Sequence, residues 1–170
     1  YAYLSEDRAS RFILFVREVD DIFSRYIVGK LIDSAIIGLM CYLGLSILNT
    51  PYALLLAIVV GLTNMIPYFG PFIGMVPAII ITLFKSPMLA LWVGLFILAL
   101  QQFDGYYLGP KILGDSVGLS PFWIILGIIL GGGFFGVLGM LLAVPIVAVC
   151  LTLYNRNIDR RINDKGLFFD

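Results

Sequence analysis

The sequence predicts an all-α, polytopic α-helical membrane protein with an N-terminal amphipathic helix and two broken, re-entrant helical hairpins. Three observations lead to that class. The 122 residues from Ser34 to Asn155 carry only four charges, Lys85, Asp104, Lys111 and Asp115. Charged residues make up 13% of the chain, about half the usual share of a soluble domain, while the apolar fraction is 61% and the mean hydropathy +1.01. The apolar region is also interrupted twice by clusters of proline and glycine, and broken backbone at membrane depth is tolerated only where protein or a water-filled cavity satisfies its polar groups.

Residues 1–30 read as a cytoplasmic or interfacial amphipathic helix. Phe12, Val16, Val19, Phe23 and Tyr26 fall at spacings of four and three along one stripe. Arg17, Asp21 and Arg25 follow at i,i+4 on another face, where opposite charges support a helix modestly. Residues 31–155 form the transmembrane transport domain. Its first apolar run, 31–48, ends at Asn49-Thr50-Pro51. A hydrocarbon core ~30 Å thick needs about 20 helical residues, so this run just suffices. Residues 52–66 and 72–84 follow, separated by Pro67-Tyr68-Phe69-Gly70-Pro71. Proline removes an amide hydrogen and clashes with the preceding turn, and each piece is short for a crossing. A re-entrant hairpin therefore fits better than two full spans.

Residues 88–108 make a full-length span that turns polar towards its end, and a loop from Gly109 to Ser120 follows. The interrupted pattern then returns. Residues 121–130 are apolar, Gly131-Gly132-Gly133 break the run, and 134–153 are apolar again with Pro145 inside. The two interrupted segments share a faint likeness, Phe69-Gly70 with Gly74-Met75 and Pro77 against Phe135-Gly136 with Gly139-Met140 and Pro145. Paired broken segments are a pointer to a transporter binding site. Residues 156–170 close the chain as a basic cytoplasmic tail.

The remaining charges sit at the ends. Arg8, Arg11, Arg17, Arg25 and Lys30 precede the apolar region, and Arg156, Arg160, Arg161 and Lys165 follow it. By the positive-inside rule both ends lie in the cytoplasm, which demands an even number of complete crossings. The lipid bilayer is the expected environment, and a net charge of zero suggests no nucleic-acid partner. Cys41 and Cys150 lie in apolar stretches, where a thiol acts as a small hydrophobe. Histidine is absent, and no phosphate loop or metal-ligand spacing occurs. No metal, no cofactor and no catalytic residue is expected, and the sequence argues against an enzyme. The chain opens at Tyr1 without a signal-peptide pattern and reads as a portion of something longer.

Function then rests on polar and backbone-breaking residues inside the apolar region, because an ionisable group at membrane depth is costly and usually faces a cavity or a partner. Asp104, just after Gln101 and Gln102, either binds a polar substrate or coupling cation, or marks the membrane surface and pairs with Lys111. Asn64, on the last turn before the first break, either lines a cavity or caps a helix. Pro67, Gly70 and Pro71 in the first break, and Gly131, Gly132 and Gly133 in the second, complete the candidate set. Lys85 reads as an interfacial anchor.

An ordered set of segments carries a resemblance. Asn64-Met65-Ile66-Pro67-Tyr68-Phe69-Gly70-Pro71-Phe72-Ile73-Gly74, Gln102-Phe103-Asp104-Gly105, Pro110-Lys111-Ile112-Leu113-Gly114 and Val117-Gly118-Leu119-Ser120-Pro121 come first. Gly131-Gly132, Phe135-Gly136-Val137-Leu138-Gly139 and Ala143-Val144-Pro145 complete it. Together, over roughly residues 20–155, they resemble the AI-2E permeases, the autoinducer-2 exporter family of prokaryotic multi-pass membrane proteins. Asp104 stands where that family usually has Glu, and Ser120 where it often has His. The resemblance implies the C-terminal half of a secondary transporter of the cell membrane, a homo-oligomer that exports a small polar solute such as a signalling molecule. Some members of the family exchange sodium or lithium for protons, so H+ or Na+ coupling is the alternative activity. From another class, a non-transporting membrane scaffold would use Gly38, Gly44 and Gly94 for helix packing.

Overall fold

The computed structural model describes residues 6–113 and 120–164, and every element there is helical. The elements are α1 (Glu6–Ile47), α2 (Ala53–Thr63), α3 (Gly70–Leu83), α4 (Pro87–Phe103), a π-helical turn (Asp104–Leu108), α5 (Gly109–Leu113) and α6 (Pro121–Asp164). The chain divides into two compact units. One is Tyr26–Gly118, and the other combines Tyr1–Arg25 with Leu119–Asp170. By length and composition, Phe12–Ile47 and Pro87–Ile112 are each able to cross a bilayer.

The separate amphipathic helix and first span expected from the sequence are one helix of 42 residues. No proline falls between Glu6 and Ile47, and the lone Gly29 near the expected boundary costs too little to end a helix. Phe12 and Val16 of the expected stripe are exposed, whereas Tyr26 is buried. The helix stops where the sequence places its stop. Asn49 adopts φ 50°, the Thr50 amide bonds to the Leu45 carbonyl and the Asn49 amide to that of Ser46. That pair of bonds around a left-handed residue is a Schellman ending, and Pro51 prevents resumption.

Helices α2 and α3 form the first hairpin. Pro67 offers no amide, Tyr68 turns through φ 63°, and the Gly70 amide bonds back to the Ile66 carbonyl. A Cβ on Gly70 would run into the Thr63 carbonyl oxygen, and one on Gly74 would lie 2.9 Å from Val60 Cα. These two glycines, one turn apart, let α3 press its backbone against the last turns of α2. Helix α3 packs in turn on α4. Gly38 brings α1 within ordinary contact of the Ala57 carbonyl on α2, and Gly44 faces the Phe96 ring of α4.

The core of this unit is assembled from stripes. Ile37, Cys41 and Leu45 come from α1, Leu56, Ala57 and Val60 from α2, Ala78 from α3, and Val93, Ile97 and Leu100 from α4. The outward faces carry Leu39, Leu43, Leu54, Ile58, Leu91 and Leu95, all exposed, as lipid contact requires.

Two further expectations are corrected. The loop beginning at Gly109 is helical as far as Leu113; Gly114, Asp115, Val117, Gly118 and Leu119 lie outside the described residues. The second hairpin exists, but it does not break at Gly131-Gly132-Gly133. Those three residues are helical, and the reversal occurs at Gly136, with φ 61° and ψ −142°. Gly127 then faces Ala143 and Val147, Gly131 meets Gly139 and Gly132 meets Met140, which only an antiparallel return allows. One residue with positive φ suffices to turn the chain, and the bare backbones of Gly131 and Gly139 allow the arms to touch. The stretch 122–154 is therefore two shorter helices, not one long span. The tail from 156 continues the helix to Asp164, and 165–170 lie outside the described residues.

Candidate buried acidic site

Within the unit Tyr26–Gly118, each of three core stripes ends on a polar residue. On α1 the spacing Asp33, Ile37, Cys41, Leu45 puts Asp33 on the buried face. On α2, Val60 is followed one turn later by Asn64, the C-cap residue. On α4, Val93, Ile97 and Leu100 lead to Asp104. The connections reverse direction at each turn, so the start of α1's stripe meets the ends of the stripes on α2 and α4. Asp33 is 0% exposed, Asn64 2% and Asp104 8%.

Asn64 joins the two acids. Its Nδ2 donates to Asp33 Oδ2 and to Asp104 Oδ2, at 3.2 Å each. The Lys30 ammonium donates to the same Asp33 oxygen at 2.6 Å, in a buried ion pair three residues apart on α1. The other carboxylate oxygens, Asp33 Oδ1 and Asp104 Oδ1, are buried without a partner, as are the Tyr26 hydroxyl, Ser34 Oγ and Gln101 Nε2. Buried polar atoms are normally satisfied, and each exception calls for an explanation. Asp104 opens the π-helical turn, in which the Gly109 amide bonds to the Asp104 carbonyl. Such single-turn π segments recur at functional positions in helices.

The sequence-derived candidates fall into three groups. Asn64 and Asp104 meet, with Gly70 buried beside the end of α2, Pro67 and Pro71 half-buried at the break, and Gln101 half-buried with its unpaired amide nitrogen. Gln102 and Lys111 do not join them. Gln102 is exposed, and the Lys111 ammonium lies over the Tyr107 ring, 5.3 Å from its centroid, instead of pairing with Asp104. Gly131, Gly132 and Gly133 belong to the other compact unit, where the first two serve hairpin packing and the third is exposed. Lys85, expected as an anchor, is exposed and donates to the Asn49 carbonyl at 2.7 Å.

Sequence reasoning missed Lys30 and Asp33. The charge-poor stretch begins at Ser34, one residue beyond Asp33, so both residues read as its border. Their signal is the four-residue spacing that places Asp33 in register with the buried Ile37, Cys41 and Leu45.

Comparison with known proteins places the chain. The family model described as AI-2E family transporter matches residues 1–158. The chain belongs to the AI-2E transporter family. Among its relatives, the Bacillus subtilis (strain 168) protein YueF, named as a candidate transport protein, is 41% identical over 133 residues. That match covers 78% of this chain and 36% of YueF. YrrI of the same organism, named likewise, is 42% identical over 135 residues, covering 79% of this chain and 38% of YrrI. YhhT of Escherichia coli (strain K12), also named as a candidate transport protein, is 32% identical over 128 residues, with 75% and 37% covered. The chain thus spans little more than a third of the length of these relatives. No solved structure matches it. In this AI-2E family chain, the acids Asp33 and Asp104 come from helices 71 positions apart in sequence, and a single asparagine side chain ties them.

Proposed function

We propose that this AI-2E chain forms the ion-coupling part of a secondary transporter that exports a small polar solute, such as a signalling molecule, from a prokaryotic cell. The observation that carries the reading is the pair of buried carboxylates bridged by Asn64. Charges inside a membrane segment are costly and are retained where they bind or relay ions. Each acid also keeps one oxygen unpartnered, an available seat for a proton or a small cation. A non-transporting scaffold would use Asn64 as an interhelical hydrogen-bond donor, but it gains nothing from two buried carboxylate oxygens left without a donor. In this reading the two hairpins re-enter the bilayer, both ends face the cytoplasm, and the transporter assembles as a homo-oligomer. The site residues are Asp33, Asn64 and Asp104, with Gln101, Pro67, Gly70 and Pro71 around them.

Asp104→Asn keeps the shape and a hydrogen-bonding side chain while removing the charge. In proteoliposomes it should abolish solute flux with unfolding behaviour unchanged. Normal flux from a folded variant would remove Asp104 from the mechanism. The two acids also support a second reading, exchange of sodium or lithium for protons. Sodium added to vesicles holding a pH gradient should then collapse it, and an intact gradient would eliminate this activity.

A further inference from the structure

Lys30, Asp33 and Asp104 bring one positive and two negative charges to one buried place. Among the described residues of the Tyr26–Gly118 unit, the surroundings supply no further charge. Helix α1 adds only the Tyr26 hydroxyl, α2 presents the neutral Asn64, and α3 has no ionisable side chain in its sequence. Lys85 bonds to Asn49, and Lys111 is exposed over Tyr107. The cluster therefore carries a net charge of −1 when all its groups are ionised.

Its internal bonds are of two kinds. The Lys30–Asp33 pair lies within one helix, three residues apart and 2.6 Å long. No movement of α2, α3 or α4 can separate its members. The bonds from Asn64 to Asp33 and to Asp104 join different helices, so any shift between those helices breaks them. Asp33 keeps its counter-charge through such a movement, whereas Asp104 has no cation on its own helix and is held only across helices, by the Asn64 amide and by its place beside Asp33 and Lys30.

Resting on the reading of this cluster as the coupling site, we propose that Lys30 is a resident counter-charge for Asp33 that limits the site to one monovalent charge, a proton or an alkali cation held at Asp104. A second charge would leave a net positive cluster away from water, and buried unpaired charge is strongly disfavoured. A divalent cation is refused for the same reason. Lys30 is thus a positioning and charge-setting residue that fixes how many charges accompany each cycle.

Infrared difference spectroscopy of the purified, reconstituted protein tests this without any transported solute, because it counts buried carboxylic acids by their C=O stretch. Lowering the pH should produce one such band in the unaltered protein, and Asp104→Asn should lack it. Lys30→Met leaves two acids without a resident cation, and its band should double in area. Lys30→Met combined with Asp33→Asn restores a net charge of −1 and should return a single band. If Lys30→Met alone fails to fold while the double variant folds with one band, the charge count is upheld. An unchanged single band in folded Lys30→Met, two bands in the unaltered protein, or a double variant with no band would overturn the proposal. Normal flux from Asp104→Asn would defeat the coupling reading instead, so the two failures are distinguishable.

Discussion

An asparagine amide carries two N–H donors and no charge, which suits it to sit between two carboxylates that would otherwise repel. Asn64 reaches both acids at 3.2 Å from a position 2% exposed. Replacing it with leucine, which has the same branching and number of side-chain heavy atoms but no donors, strips one hydrogen bond from each acid. Hydrogen bonds to charged groups are worth about 2 kcal/mol each, so Asn64→Leu should lower unfolding stability in micelles by roughly 2–4 kcal/mol. A loss below about 0.5 kcal/mol, the size of an ordinary surface change, would mean that the bridge does not hold the cluster together. Asn64 and Asp104 were legible in the sequence because a polar side chain within an apolar run is conspicuous. Lys30 and Asp33 were not, since they stand where charge is expected to begin. Gln102 and Lys111 misled for the opposite reason. Nearness in sequence to Asp104 does not put a side chain on its face of the helix, and Lys111 found an aromatic ring instead.

Helices and their breaks were legible through composition, but less so in detail. Proline names its own position, so the first hairpin turns where Pro67 and Pro71 predict. Glycine does not, because it serves both turning and close packing. The glycine run therefore looked like the second turn, although the turn lies at Gly136 and the run is helical. Two substitutions separate these roles. Beyond the adjoining residues of the chain itself, nothing lies within 4 Å of a Cβ built on either Gly133 or Gly136, but only Gly136 has a positive φ. Gly136→Ala should destabilise by about 1–3 kcal/mol through backbone strain alone. Gly133→Ala should be neutral or gain up to about 1 kcal/mol, since alanine is the better helix former. Equal effects measured by denaturant titration in detergent would contradict a turn at Gly136. The continuity of α1 was hidden by composition too. A change from polar to apolar residues marks a change of surroundings, and a helix passes through it unbroken.

At the scale of the molecule, the turns of the Tyr26–Gly118 unit alternate between its two ends. The turn holding Phe84, Lys85 and Ser86 lies with the Asn49–Tyr52 turn, as the Lys85–Asn49 bond shows. If the basic start of α1 lies in the cytoplasm, as proposed above, both turns face outward. Phe84, 90% exposed, tests this. In a background lacking Cys41 and Cys150, Phe84→Cys should react with a membrane-impermeant maleimide added to intact cells. Labelling only after the cells are opened would reverse the assigned orientation. The membrane class and the family were legible in composition and ordered motifs. The meeting of Asp33 with Asp104 was not, because it depends on packing between helices far apart in sequence.

The Lys85–Asn49 bond also has a mechanical reading. Helices α2 and α3, locked together by Gly70 and Gly74, form a stiff pin whose base is held at this bond and whose tip bears Asn64. An 11-residue helix is about 16 Å long. With a lever arm of that length, a tilt of about 10° at the base carries the tip roughly 3 Å. That displacement is comparable to the length of the two hydrogen bonds made by Asn64, so a rocking of this size at one end of the pin would unlatch the acids at the other.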